Sequence, residues 1–174
     1  MLLRNTLLPL ALILSPQLAV ADNLTDLLKM PQGSNLIKTV HAEGVQIYQC
    51  SQTLAPQVPG AYEWKWQAPE AILFDDDQKT EVGSHGAGPT WKYKDGSSVK
   101  AKMVQQIDSP DTNAVPWLLL ATTEYNGVGV LSGTQFILRF NTQGGLAPTT
   151  GCNTNHLGSE TKVPYHADYS FYGK

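Results

Sequence analysis

The feature that most constrains this chain is a two-residue alternation of apolar and polar side chains, interrupted at short intervals by turn residues. In an extended strand successive side chains point to opposite faces, so such alternation marks half-buried β-strands. Tyr62-Glu63-Trp64-Lys65-Trp66 and Thr90-Trp91-Lys92-Tyr93-Lys94 alternate strictly. Asp95-Gly96 and Asn126-Gly127 are the dipeptides that tight hairpin turns favour. Further β-prone runs cover 36–42, 45–50, 71–74, 98–107, 117–125, 136–140 and 165–172. Glu43-Gly44, between the first two, reads as a hairpin turn. In the second run Gln46, Tyr48 and Cys50 share one face. Only residues 23–29 suggest a helix, with Leu24, Leu27 and Leu28 on one side, Asn23 or Thr25 as cap and Pro31 as stop. Long crossover helices, which a parallel sheet requires, are missing. The pattern predicts an all-β antiparallel sandwich or barrel of roughly eight to ten short strands, preceded by a short N-terminal helix.

The first 21 residues stand apart. Arg4 is their only charge, an aliphatic run with Pro9 follows, and Ala19-Val20-Ala21 offers small side chains at the spacing a signal peptidase accepts. The run falls short of the roughly 20 residues a membrane-spanning helix needs, which argues against a retained anchor. Cleavage between Ala21 and Asp22 is expected, leaving residues 22–174 as one domain without a membrane span, in a periplasm or outside the cell. Asp22 stands where a lipoprotein would carry cysteine.

That location gives the cysteines a meaning. Cys50 and Cys152 are the only two. In an oxidising compartment an even pair reads as a disulfide. Neither has the close cysteine partner typical of a zinc site. A formal net charge of −3 disfavours binding to nucleic acid, which demands a cationic face. Four Trp, seven Tyr and four Phe supply the large apolar groups a folded core needs.

Several strings, in order, resemble the DUF3455 family of small secreted proteins of unknown function. They are residues 44–50 (GVQIYQC), 83–91 (GSHGAGPTW), 95–97 (DGS), 115–119 (VPWLL), 151–152 (GC) and 163–169 (VPYHADY). The resemblance implies a leader followed by a β domain. It carries over no activity, cofactor or catalytic residue.

Candidate chemistry is sparse. His41, His85, His156 and His166 form no close ligand motif, although His41 and His166 could meet across strands. Asp75-Asp76-Asp77 lacks the spacing of an EF-hand loop and reads as a solvated turn. No G-x-S-x-G nucleophile motif occurs. Glu63, Glu70 and Glu124 are available carboxylates without an evident pairing. The unusual stretch is 83–91, where Gly83, Gly86, Gly88 and Pro89 surround His85 and Trp91. Its glycines suit either a crowded strand crossing or a ligand contact. In the second case His85 supplies a polar handle and Trp91 a stacking face. Trp64, Trp66 and Trp117 read as core. The expectation is a non-catalytic exported domain, with no metal or cofactor, that binds a small molecule, glycan or protein or has a structural role. The alternatives are a hydrolase acting on an envelope or extracellular substrate and, less favoured, a metal-binding module.

Overall fold

The computed structural model describes residues 24, 26–53 and 61–174. The leader, the Ala21–Asp22 cleavage position and the helix-capping residues Asn23 and Thr25 lie outside the described residues. Eight antiparallel strands close into one barrel in sequence order, which settles barrel over sandwich. They are β1 (Asn35–Gln52), β2 (Tyr62–Phe74), β3 (Glu81–Gly86), β4 (Thr90–Tyr93), β5 (Ser98–Ile107), β6 (Trp117–Asn126), β7 (Phe136–Gly144) and β8 (Glu160–Gly173). Pairing of β1 with β8, from Asn35 opposite Gly173 to Gln49 opposite Glu160, completes the ring. Closure removes the long free edges of an open sheet, although residues 62–70 of β2 have no partner on the β3 side.

Two pairs of runs that read as separate in the sequence each form one strand, and each has a cause. Residues 36–42 and 45–50 form one strand, because Gly44 continues the ladder instead of reversing it. Its missing side chain lets β1 and β2 approach closely. A Cβ there would lie 2.2 Å from the Glu70 carbonyl oxygen and 2.5 Å from Ala71 Cα. Likewise, residues 62–66 and 71–74 merge into β2 across Pro69. Proline has no N–H for a ladder and is confined to edges. The residue is tolerated because β3 pairs with β2 only between Ala71 and Phe74.

Gly44→Ala is therefore expected to destabilise the barrel by about 1–3 kcal/mol or more, since backbone atoms must move to admit a methyl group. Gly86 is the control, because a Cβ at that position meets nothing within 4 Å. Urea midpoints of the two alanine variants check the contrast. Equal midpoints would remove the close-approach argument.

Up-and-down topology sorts the loops into two ends. At one end lie the start of β1, the end of β8 and the loops β2–β3, β4–β5 and β6–β7. This end is sealed. Val40, Leu73, Val82, Val99, Ile137 and Phe171 fill it, and Leu131 from the β6–β7 loop is buried against them. Asn126-Gly127 therefore opens a longer loop instead of the expected tight turn. Gly127 is pressed on the Gly96 carbonyl, the Val130 N–H donates to Asp95 at 2.6 Å, and the Leu131 N–H donates to the Ser97 hydroxyl at 3.1 Å.

The other end carries the loops β1–β2, β3–β4, β5–β6 and β7–β8. Cys50, near the end of β1, is bonded there to Cys152 in the β7–β8 loop across a sequence separation of 102. The bridge joins a continuous strand, not a hairpin, to that loop.

Outside the barrel, a single helical turn packs Leu24 and Leu28 against Leu119, Leu138 and Tyr172. The Leu28 N–H donates to the Leu24 carbonyl at 3.0 Å. Leu27, expected on the same face, is exposed. One turn is too short to set a wide apolar stripe. Among the described residues, no helix is long and apolar enough to cross a membrane.

Candidate functional site

The interior face of β1 carries Val40, Ala42, Gln46, Tyr48 and Cys50. Towards the sealed end those side chains are apolar. Towards the disulfide end they become polar, and there the barrel is incompletely filled. A cavity of about 450 Å³ opens at this end, within the roughly 300–1,000 Å³ range of small-molecule sites. Its wall has a gap, because the upper half of β2 extends beyond β3. Trp66, 43% exposed, and Met103, 55% exposed, are lining residues that reach the surface.

His85 and Trp91 face each other across the β3–β4 ladder and both line this cavity. Their rings stack at 4.1 Å with planes 11° apart. Tyr169 of β8 meets His85 edge-on at 5.1 Å and Trp91 at 5.3 Å. The stretch 83–91 builds this cluster with two kinds of glycine. Gly83 is a crowded crossing, where a Cβ would lie 2.0 Å from the Lys92 carbonyl oxygen. Gly88 takes a φ of +69° in the turn to β4.

The protonation of His85 follows from its surroundings. A carbonyl can only accept, so the contact of Nδ1 with the Thr90 carbonyl at 3.0 Å places a proton on Nδ1. Nε2 then carries the lone pair. Burial disfavours the charged ring and pushes its pKa down to about 3, against the opposing effect of the Thr90 carbonyl. The imidazole is neutral at physiological pH.

Two further residues complete the site, and neither stands out in the sequence. Gln46 is buried on β1. Its Oε1 accepts from Trp66 Nε1 at 2.6 Å, while its Nε2 has no partner among the described residues. Trp91 Nε1 is a second buried donor without one. Arg139 on β7 donates through Nε and Nη2 to the Pro116 carbonyl at 3.1 and 2.8 Å, and sits across the ladder from Tyr169. The only available signal for these residues was inward parity. Gln46 shares a face with Tyr48 and Cys50, whereas a register shift in β7 hides the parity of Arg139.

The other sequence candidates lie elsewhere. His41 and His166 do not form a ligand pair. Across β1–β8 His41 faces Asp168 and His166 faces Glu43. On the outer wall, Asp168 accepts from His41 Nδ1 at 2.5 Å and from Asn141 Nδ2 at 2.8 Å, while Glu43 and His166 are 3.9 Å apart. These groups line a shallower groove of about 880 Å³. His156 sits in the short helical turn Thr154–His156, near the disulfide. Among the described residues, no three His, Cys, Asp or Glu side chains converge as a metal site would require. Asp77 folds its own turn, accepting from the Lys79 and Thr80 N–H groups and the Thr80 hydroxyl. Trp64, Trp66 and Trp117 are not core residues as expected: Trp64 is half-buried and donates through Nε1 to the Thr150 carbonyl at 2.8 Å. Trp66 stands at the mouth, and Trp117 is half-buried against the outer cluster.

A family model described as "Protein of unknown function (DUF3455)" matches residues 31–173. The chain belongs to the DUF3455 family. That match covers all eight strands and every cavity-lining residue, so the site is built within the DUF3455 region. No curated protein and no solved structure matches the chain.

Proposed function

We propose that this DUF3455 protein is an exported, non-catalytic binding protein that encloses a small molecule in the open end of its barrel. The observation that carries this reading is the cavity itself. It joins an aromatic cluster to Gln46 and Trp91, each of which keeps a buried N–H donor that no acceptor among the described residues satisfies. Buried polar groups in folded proteins are normally hydrogen-bonded, and a ligand would supply what these lack. An internal cavity suits a small molecule better than a protein partner. Among the described residues its lining holds no carboxylate, serine, threonine or cysteine, which favours binding over hydrolysis. Export is supported by the apolar leader and by the disulfide.

The test is titration with the neutral fluorescent probe N-phenyl-1-naphthylamine. One probe per chain is expected to bind with enhanced emission, quenching the emission of Trp66 and Trp91. Leu118 lines the cavity and is half-buried, so Leu118→Trp should fill the space and abolish the response while circular dichroism and melting stay native-like. Absence of binding to the native chain, or undiminished binding to a folded Leu118→Trp variant, overturns the proposal.

A further inference from the structure

Resting on that reading of the cavity, we infer that the ligand is an apolar carboxylic acid, bound as its anion with the carboxylate on Arg139. Among the described residues, Arg139 is the only charged one lining the cavity. It forms no ion pair among the described residues, although three other cationic residues (Lys38, Lys100 and Lys162) sit within 3.1 Å of a carboxylate. A partly buried cation without a counterion is costly unless something neutralises it. Its two hydrogen bonds to the Pro116 carbonyl fix the guanidinium plane before any ligand arrives. A fixed fork of donors matches a carboxylate in geometry as well as in charge.

The rest of the lining agrees. Gln46 Nε2 and Trp91 Nε1 are donors awaiting acceptors. His85 is neutral and adds no second positive charge. A singly charged head therefore balances the site, whereas a doubly charged phosphate would leave one charge unmatched. The body of the ligand must be apolar, since Pro69, Pro89, Met103, Val115, Leu118 and Leu120 make up much of the wall. The chain as a whole has a net charge of −3, so this local positive site runs against the overall field and is not a by-product of it.

The experiment uses the matched pair 2-naphthoate and 2-naphthylmethanol, which share a ring system and differ in the acid group. Each displaces N-phenyl-1-naphthylamine from the full chain at neutral pH. The acid is expected to bind at least about tenfold more tightly than the alcohol, as a charge-assisted hydrogen bond requires. Arg139→Gln should bring that ratio close to one, and Arg139→Lys should restore part of it. Equal affinities in the native chain overturn the inference, as does a preference that survives Arg139→Gln. If the neutral probe binds and neither compound displaces it, the carboxylate assignment falls while the binding cavity stands. If the neutral probe itself does not bind, the cavity reading fails first. The acid-to-alcohol ratio in the native chain decides the matter even where Arg139→Gln fails to fold.

Discussion

Replacing Cys50 and Cys152 together with alanine is expected to lower the melting temperature by roughly 10–20 °C. The bond closes a sequence separation of 102. In the chain-entropy account a loop near 100 residues restricts the unfolded chain enough to contribute about 4.7 kcal/mol. For a domain of about 150 residues each kcal/mol moves the midpoint by roughly 2–4 °C. The topology makes the contribution plausible in full. The bridge ties the first strand to the loop before the last one, and β1 and β8 already pair along their length without it. The native barrel thus loses little geometry on reduction, and the change falls mainly on the unfolded state. Reductant should reproduce the shift in the native chain and leave the double variant unchanged. A melting temperature within a few degrees of the native value would count against this account. Mass spectrometry of exported protein tests the premise, with a chain beginning at Asp22 and two hydrogens lighter than its reduced form.

Much of the barrel was legible because alternation reports burial directly. Thr90–Tyr93 and Ser98–Ile107 follow the sequence pattern on both sides of Asp95-Gly96. Legibility failed where a local signal had a tertiary cause. Glu43-Gly44 looks like a turn, yet Gly44 is there so that another backbone can press against it. Pro69 looks like a strand breaker, yet it pairs with Gln46 of β1 and the short β3 leaves its other side free. The site was half legible for the same reason. His85 and Trp91 announced themselves through an unusual Gly-rich string. Gln46 and Arg139 sit in ordinary strand sequence, and only ring closure brings β1 and β7 to either side of β8. Charge composition concealed the positive cavity, because an average over the chain has no location.

Acidification should cost this fold stability from about pH 6.5 downward, because one buried histidine resists protonation. His85 has an unfolded pKa near 6.5 and a folded one of about 3, lowered chiefly by burial. The unfolded chain therefore takes up the proton first as pH falls. Stability from this group is complete above about pH 6.5 and is lost progressively down to about pH 3. One proton of difference changes the unfolding free energy by about 1.4 kcal/mol per pH unit, or roughly 4–5 kcal/mol across the window. Against a typical total of about 5–15 kcal/mol, that is enough to bring the barrel close to unfolding. Asp75, Asp77 and Asp95 also stabilise the fold by remaining ionised, and their contributions are lost only below about pH 4. The Thr80 hydroxyl and neighbouring N–H groups hold Asp77 at about 2, the Lys38 ammonium lowers Asp75, and the Ser97 hydroxyl lowers Asp95. Urea midpoints between pH 7.5 and 4.5 isolate the histidine. His85→Phe keeps a ring against Trp91 but leaves the Thr90 carbonyl without its donor. Its baseline stability should drop by about 1 kcal/mol, the usual net value of one hydrogen bond. The slope is the readout. It should be steep in the native chain and nearly flat in His85→Phe. A flat native profile would mean that this ring is wetter than its packing implies, and an unchanged slope in the variant would assign the proton to another group.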